Sequence, residues 1–227
     1  LILTTIFYSH RLLRWLFCLI LNMLNRKSPI GFFDSGYGGL TILSDVRRIL
    51  PEYDYLYLGD NARAPYGTRS FDVVYEYTWE CVKELLDRGC DLVIVACNTA
   101  SAKALRTIQQ VNLVDYPGKR VLGVIRPSAE VIGKFSKSKH IGVLATEGTV
   151  NSNSYILEIH KFFPELIVHQ HACPLWVPLV ENNEYNSNEG KGFIKKDIEK
   201  LLAKSPDIDT VILGCTHYPI IQDIIES

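Results

Sequence analysis

From residue 29 onward the chain alternates short, continuously apolar runs with longer stretches in which apolar residues recur every three or four positions. The short runs are rich in β-branched and aromatic residues and predict strands at 30–33, 55–58, 92–96, 121–124, 141–144, 166–169 and 211–214. The amphipathic stretches predict helices at 40–50, 71–88, 101–110, 129–135, 150–162, 192–203 and from 219 onward. Strands apolar on both faces, separated by helices, predict an α/β fold of mostly parallel sheets covered on both sides. Tyr116-Pro117-Gly118 reads as a hinge between two halves, and ENNEYNSNEG (181–190) as a polar loop.

The halves resemble each other. DLVIVACNT (91–99) and DTVILGCTH (209–217) each run from an acidic residue through a buried strand to a cysteine at a strand-to-helix turn. IGFFDS (30–35) and IGVLAT (141–146) precede them by some 60 to 70 residues, so order as well as motif is repeated. The repeat predicts two similar doubly wound α/β lobes related by pseudo-twofold symmetry, 29–125 and 126–227, with the active site between them and one thiol facing it from each. Two thiols on opposite sides of one small substrate suit the removal and return of a proton at one carbon. Taken alone, the cysteines read equally as structural residues at the ends of core strands, since free cysteine is among the most buried residue types.

Composition narrows the choice. The chain has 227 residues, 47% apolar and 22% charged, with a net charge of −1, which provides no field for nucleic acid or an anionic membrane. Its six cysteines include no CxxC pair, so no metal site is expected, and they fit reduced thiols in a cytoplasmic protein. Residues 1–28 read as an appended segment: LLRWLFCLILNML (12–24) is interrupted by Arg14 and Asn22, too short to span a bilayer, and followed by no signal-peptidase site. No stable membrane association is expected.

In open α/β sheets ligands bind beyond the carboxyl ends of the strands. FDSGYGG (33–39), GDNARAPYG (59–67), ACNTAS (96–101), ATEGT (145–149) and GCTHYP (214–219) all fall there. Ser35, Asn98, Thr99 and Thr149 read as helix caps; the same positions border backbone N–H groups that hold carboxylates. The motifs contain one basic side chain, Arg63, so amides and hydroxyls are expected to hold an anionic substrate.

FDSGYGGLTIL, YLGDNARAPYG, VIVACNTASA, IGVLATEGT, CPLWVPLVE and VILGCTHYP occur in the order and spacing of glutamate racemase, and from about residue 29 the chain resembles that family. The resemblance implies a cofactor-independent isomerase that interconverts L- and D-glutamate for peptidoglycan synthesis. Cys97 and Cys215 match its two catalytic cysteines, the first acting on D-glutamate and the second on L-glutamate. Asp34, Ser35, Tyr66, Gly67, Asn98, Thr99, Thr149, Thr216 and His217 match substrate-contacting positions. Asp34 and His217 match auxiliary acid/base residues beside the thiols, and Asp60 and Glu147 second-tier carboxylates. A homodimer is expected. Physically, a free thiol near pKa 8.5 is lowered by a helix N-terminus or an adjacent imidazolium, and a two-base site needs one thiolate and one thiol. Against the family the chain carries the extra segment 1–28 and stops 12 residues after Cys215, so a C-terminal segment that packs on the first lobe is expected to be missing. Competing readings are an aspartate racemase-like enzyme, a catalytically idle homologue, and a thiol redox or zinc protein.

Overall fold

A computed structural model describes residues 28–226; the apolar run at 12–24 lies outside them. The first sheet comprises β1 (Ile30–Asp34), β2 (Tyr55–Gly59), β3 (Leu92–Val95) and β4 (Arg120–Gly123) in the order β2-β1-β3-β4. The second comprises β5 (His140–Ala145), β6 (Ile167–Ala172) and β7 (Ile208–Gly214) in the order β6-β5-β7. Every pairing is parallel. The sequence repeat is therefore a structural one. β1 and β5 occupy equivalent central places, and β3 and β7, which lead to the cysteines, lie on the same side of them.

Strand periodicity explains the burial. In the first sheet Phe33, Val93 and Val95 pack on one face under α2 (Phe71–Asp87), while Ile30, Phe32, Leu92 and Ile94 pack on the other against α1 (Leu40–Ile49). In the second, Ile141, Val143 and Ile212 face one core and Leu144, Val211 and Leu213 the other. Alternate residues point to opposite faces and both faces are covered, so the strands read as unbroken apolar runs.

Several expected helices prove to be broken. The stretch 101–110 belongs to α3 (Asn98–Lys103) and α4 (Leu105–Gln110), separated at Ala104. The helix expected at 129–135 is instead α5 (Ile125–Ala129) followed by a 3₁₀ turn, Ile132–Lys134. The helix expected at 150–162 is α6 (Glu147–Asn151) and α7 (Ser154–Phe162), because Asn153 takes the left-handed conformation at φ 54°. Residues 176–181, expected as no element, form α8 (Trp176–Glu181), and α9 (Asn188–Leu202) begins inside the expected polar loop, capped by Ser187. The chain after Cys215 forms a 3₁₀ turn, Tyr218–Ile221, then α10 (Gln222–Glu226).

The hinge expected at Tyr116-Pro117-Gly118 is a turn within the first lobe, for β4 follows it in the first sheet. A Pro-Gly step marks a turn but carries no information on whether the chain then changes sheets. The crossing comes after β4, where Ile125 and Ala129 enter the core of the second sheet. Among the described residues no helix is long and apolar enough to cross a membrane.

Candidate active site

The carboxyl ends of β1 and β3 build one wall of a cleft. β1 ends at Asp34, which is fully buried; Gly36 N–H donates to its Oδ1 at 2.8 Å and Thr216 Oγ1 to its Oδ2 at 3.4 Å. Burial pushes the Asp34 carboxyl up from 3.8 to about 6, against the opposing pull of the Gly36 N–H and of His217. β3 ends two residues before Cys97, which caps α3 and accepts from Ala100 N–H at 3.4 Å. Ser35 Oγ lies 3.4 Å from Cys97 Sγ. Burial, then the Asp34 charge, raise this thiol to about 11.

β7 and α8 build the facing wall. Cys215 Sγ lies 3.8 Å from His217 Nδ1, and His217 Nε2 lies 3.2 Å from Glu181 Oε1 at the end of α8. The Cys215 thiol is also raised well above its ordinary value, first by burial. A thiol, an imidazole and a carboxylate in series can pass a proton along, with the carboxylate orienting the ring. The loop 36–39 closes against this wall. A Cβ at Gly38 would stand 2.3 Å from Thr216 Oγ1, so the close approach requires glycine.

Ser35, Tyr66, Gly67, Cys97, Asn98, Thr99, Glu147, Cys215, Thr216 and His217 border one cavity of about 100 Å³. That is far below the roughly 300–1,000 Å³ of drug-sized pockets and fits a small metabolite. Among the described residues its lining contains no lysine or arginine. Arg63 instead bonds Asp60 Oδ2 at 2.6 Å and Glu80 Oε2 at 2.5 Å and lies over the Tyr77 ring. To an anionic group the described lining offers hydroxyls, amides and helix starts.

The remaining expected site residues fall into different places. Asp60 is bonded by Tyr66 Oη at 2.5 Å and by Arg63, so it reaches the cleft through the tyrosine it holds. Glu147 is exposed on the cleft rim at the start of α6. Thr149 is fully buried behind the wall, 3.0 Å from Thr146 Oγ1 and 3.4 Å from Thr99 Oγ1. Thr99 and Thr146 hydroxyls meet at 2.8 Å, Tyr155 Oη donates to Asn98 Oδ1 at 2.8 Å, and Gly148 N–H donates to Gly67 O at 2.8 Å. These bonds tie the two lobes together around the cleft.

Sequence reasoning passed over three residues. Glu181 closes the motif CPLWVPLVE yet reads as the first residue of a polar loop; α8 is six residues long, too short for a helical period to register. Thr146 lines the cleft and caps α6 from the ATEGT motif, in the place Ser35 takes after IGFFD. Cys173, from the same motif as Glu181, is a third thiol in the lining, and no repeat partner marks it.

Residues 41–227 match the family described as Asp/Glu/Hydantoin racemase. A glutamate racemase of Carnobacterium sp. (strain St2) is 43% identical over 202 residues, covering 89% of this chain and 73% of the relative. The crystal structure of a glutamate racemase isoform from Bacillus anthracis superposes with a TM-score of 0.82 at 40% identity, covering 89% of this chain and 73% of that one. A glutamate racemase from Francisella tularensis subsp. tularensis SCHU S4, in complex with D-glutamate, gives a TM-score of 0.79 at 38% identity, covering 88% of this chain and 73% of that one.

Proposed function

The chain belongs to the Asp/Glu/hydantoin racemase family, and on that premise we propose how its two-thiol cleft works. The activity is that of an amino-acid racemase interconverting L- and D-glutamate, which supplies D-glutamate for peptidoglycan. The observation that carries the mechanism is that Cys97 and Cys215 reach one small cavity from two different sheets, each with its own polar partner.

In each turnover one cysteine, as thiolate, takes the Cα proton, and the opposite cysteine, as thiol, gives its proton to the other face of the carbanion. The first ends as thiol and the second as thiolate, so the enzyme is left poised for the reverse reaction. Both thiols are pushed up in the free protein, so forming the reactive thiolate needs a proton acceptor and a nearby positive charge. Asp34, near neutrality, is the acceptor on the Cys97 side, and His217 backed by Glu181 on the Cys215 side. The substrate ammonium supplies the positive charge. Cys97 serves D-glutamate and Cys215 L-glutamate. Ser35, Asn98, Thr99 and Thr216 hold the carboxylates, and Tyr66, fixed by Asp60, closes the cleft over them.

Glutamate is expected to be favoured over aspartate through its extra methylene, a discrimination of roughly 10- to 200-fold, which a side-by-side assay measures. We further propose a cytoplasmic homodimer. The five cysteines among the described residues are all unpaired, which fits a reducing compartment.

Racemisation in D₂O tests the mechanism. Product of inverted configuration should carry deuterium at Cα, and Cys97→Ala or Cys215→Ala should lower turnover by more than the roughly 10²–10⁴-fold typical of one acid/base group. Inversion without solvent label, or near-normal turnover in either variant, would contradict the two-base reading.

A further inference from the structure

The second lobe gathers another set of reactive side chains at the cleft wall, one of which, Cys173, lines the cleft. His171 lies near the end of β6, Cys173 follows that strand, and Asp197 projects from α9. Their ligand-capable atoms all lie within 4.8 Å of one another, and both Cys173 and Asp197 are buried.

The cluster is built as well as close. His171 Nε2 is 3.1 Å from Asp197 Oδ1, near the roughly 3.3 Å that separates two ligands about 2.0 Å from one tetrahedral zinc. The other carboxylate oxygen is held from outside: Trp176 Nε1–H, itself fully buried, donates to Asp197 Oδ2 at 3.1 Å. Bonds of this kind to the far atom of a ligand are what orient metal-binding carboxylates. The remaining partner of Oδ1 is Lys200 Nζ at 3.1 Å, on a side chain 49% exposed that can turn out to solvent.

We propose that His171, Cys173 and Asp197 form a binding site for a divalent cation of the zinc class, held by one imidazole nitrogen, one thiolate and one carboxylate oxygen with the fourth position open. The donor set selects the ion. Calcium and magnesium take oxygens, whereas a thiolate with an imidazole suits zinc. On binding, the Cys173 S–H bond gives way to a sulfur–metal bond and one proton leaves to solvent. The His171 proton shifts to Nδ1, freeing Nε2, and Lys200 withdraws. No proton-transfer step between Cys97 and Cys215 passes through the ion, so the site stands independently of the racemase mechanism. It joins β6 to α9 on either side of α8, the helix that carries Glu181.

The test uses the full chain with Cys97→Ala and Cys215→Ala, so that the two thiols of the racemase mechanism cannot bind metal, under a phosphine reductant. Titration with Co²⁺ should give a single-thiolate charge-transfer band saturating at one equivalent, one proton released per ion, and displacement by Zn²⁺. Adding Cys173→Ala should abolish the band, and His171→Gln or Asp197→Asn should weaken binding at least roughly 10- to 100-fold. His171 is only partly buried, so its variant remains informative where Asp197→Asn, by disturbing Trp176, impairs folding. Absence of binding in the parent variant overturns the proposal. So does binding unchanged by Cys173→Ala, which would place the metal on another thiol.

Discussion

Asp34→Asn should stabilise the protein while slowing it, and only above acidic pH. The native fold holds this carboxyl at about 6 against 3.8 unfolded, chiefly because full burial removes it from water. At 1.36 kcal/mol per tenfold, that difference corresponds to about 3 kcal/mol of preference for the neutral form in the folded state. A raised carboxyl contributes this stability fully below pH 3.8, and the contribution is lost as pH rises through about 6. At pH 8 the wild-type protein therefore carries an ionised buried group that asparagine would not impose. Asparagine keeps Oδ1 as the acceptor for Gly36 N–H, and its amide can donate to Thr216 Oγ1 where the hydroxyl now donates. The variant should be more stable than wild type by up to about 3 kcal/mol at pH 8, about half of that at pH 5, and by nothing near pH 3. For a chain of this size, 3 kcal/mol is about 6–12 °C in Tm. Urea unfolding at pH 8, 6.5 and 5 measures the gain, and racemisation by the same samples should fall by roughly 10²-fold or more. Equal destabilisation at every pH would refute the reasoning, since it would mean that the hydrogen bonds of Asp34 outweigh its desolvation.

Glu181→Gln keeps a hydrogen-bonding group beside His217 but removes the charge. With the Glu181 side chain 41% exposed, solvent screening limits the effect to about 1 kcal/mol, a loss of about fivefold in turnover, larger from L- than from D-glutamate; steady-state kinetics in both directions checks it. Tyr155→Phe strips the buried Asn98 Oδ1 of its donor across the lobe boundary and should cost about 1–3 kcal/mol in urea unfolding, with a raised KM for glutamate. Gly38→Ala should overpack Thr216, costing about 1–3 kcal/mol by the same measurement and lowering turnover more than Gly192→Ala, where a Cβ meets nothing within 4 Å.

Local pattern was enough to give the strands and both cysteines. Each strand has apolar residues on both faces because it is buried on both, and that constraint acts residue by residue along the chain. The repeat of IGFFDS with IGVLAT and of DLVIVAC with DTVILGC likewise announced two equivalent sheets, since equal local burial selects equal residues. Helix breaks were harder to read. Asn153 and Ala104 interrupt amphipathic stretches whose apolar positions continue across the break, so the period alone carries no sign of it.

What joins the lobes was decided by tertiary structure. Thr216 reaches Asp34 across 182 residues, and Thr99 meets Thr146 across 47, because the two sheets dock with their cysteine ends facing. Glu181 becomes a partner of His217 only because Trp176 is wedged against Tyr218 and Asp197, which fixes where α8 ends. Asp60, a second-tier carboxylate by the family resemblance, has its Oδ2 bonded by both Arg63 and Tyr66, a pairing no local pattern announces. The sequence alone determined the strands and the placing of a cysteine after each of two of them, because burial imprints a local period on the chain. Only the docked structure decided that Glu181 reaches His217 and Thr216 reaches Asp34, because a hydrogen bond between distant segments leaves no period in either.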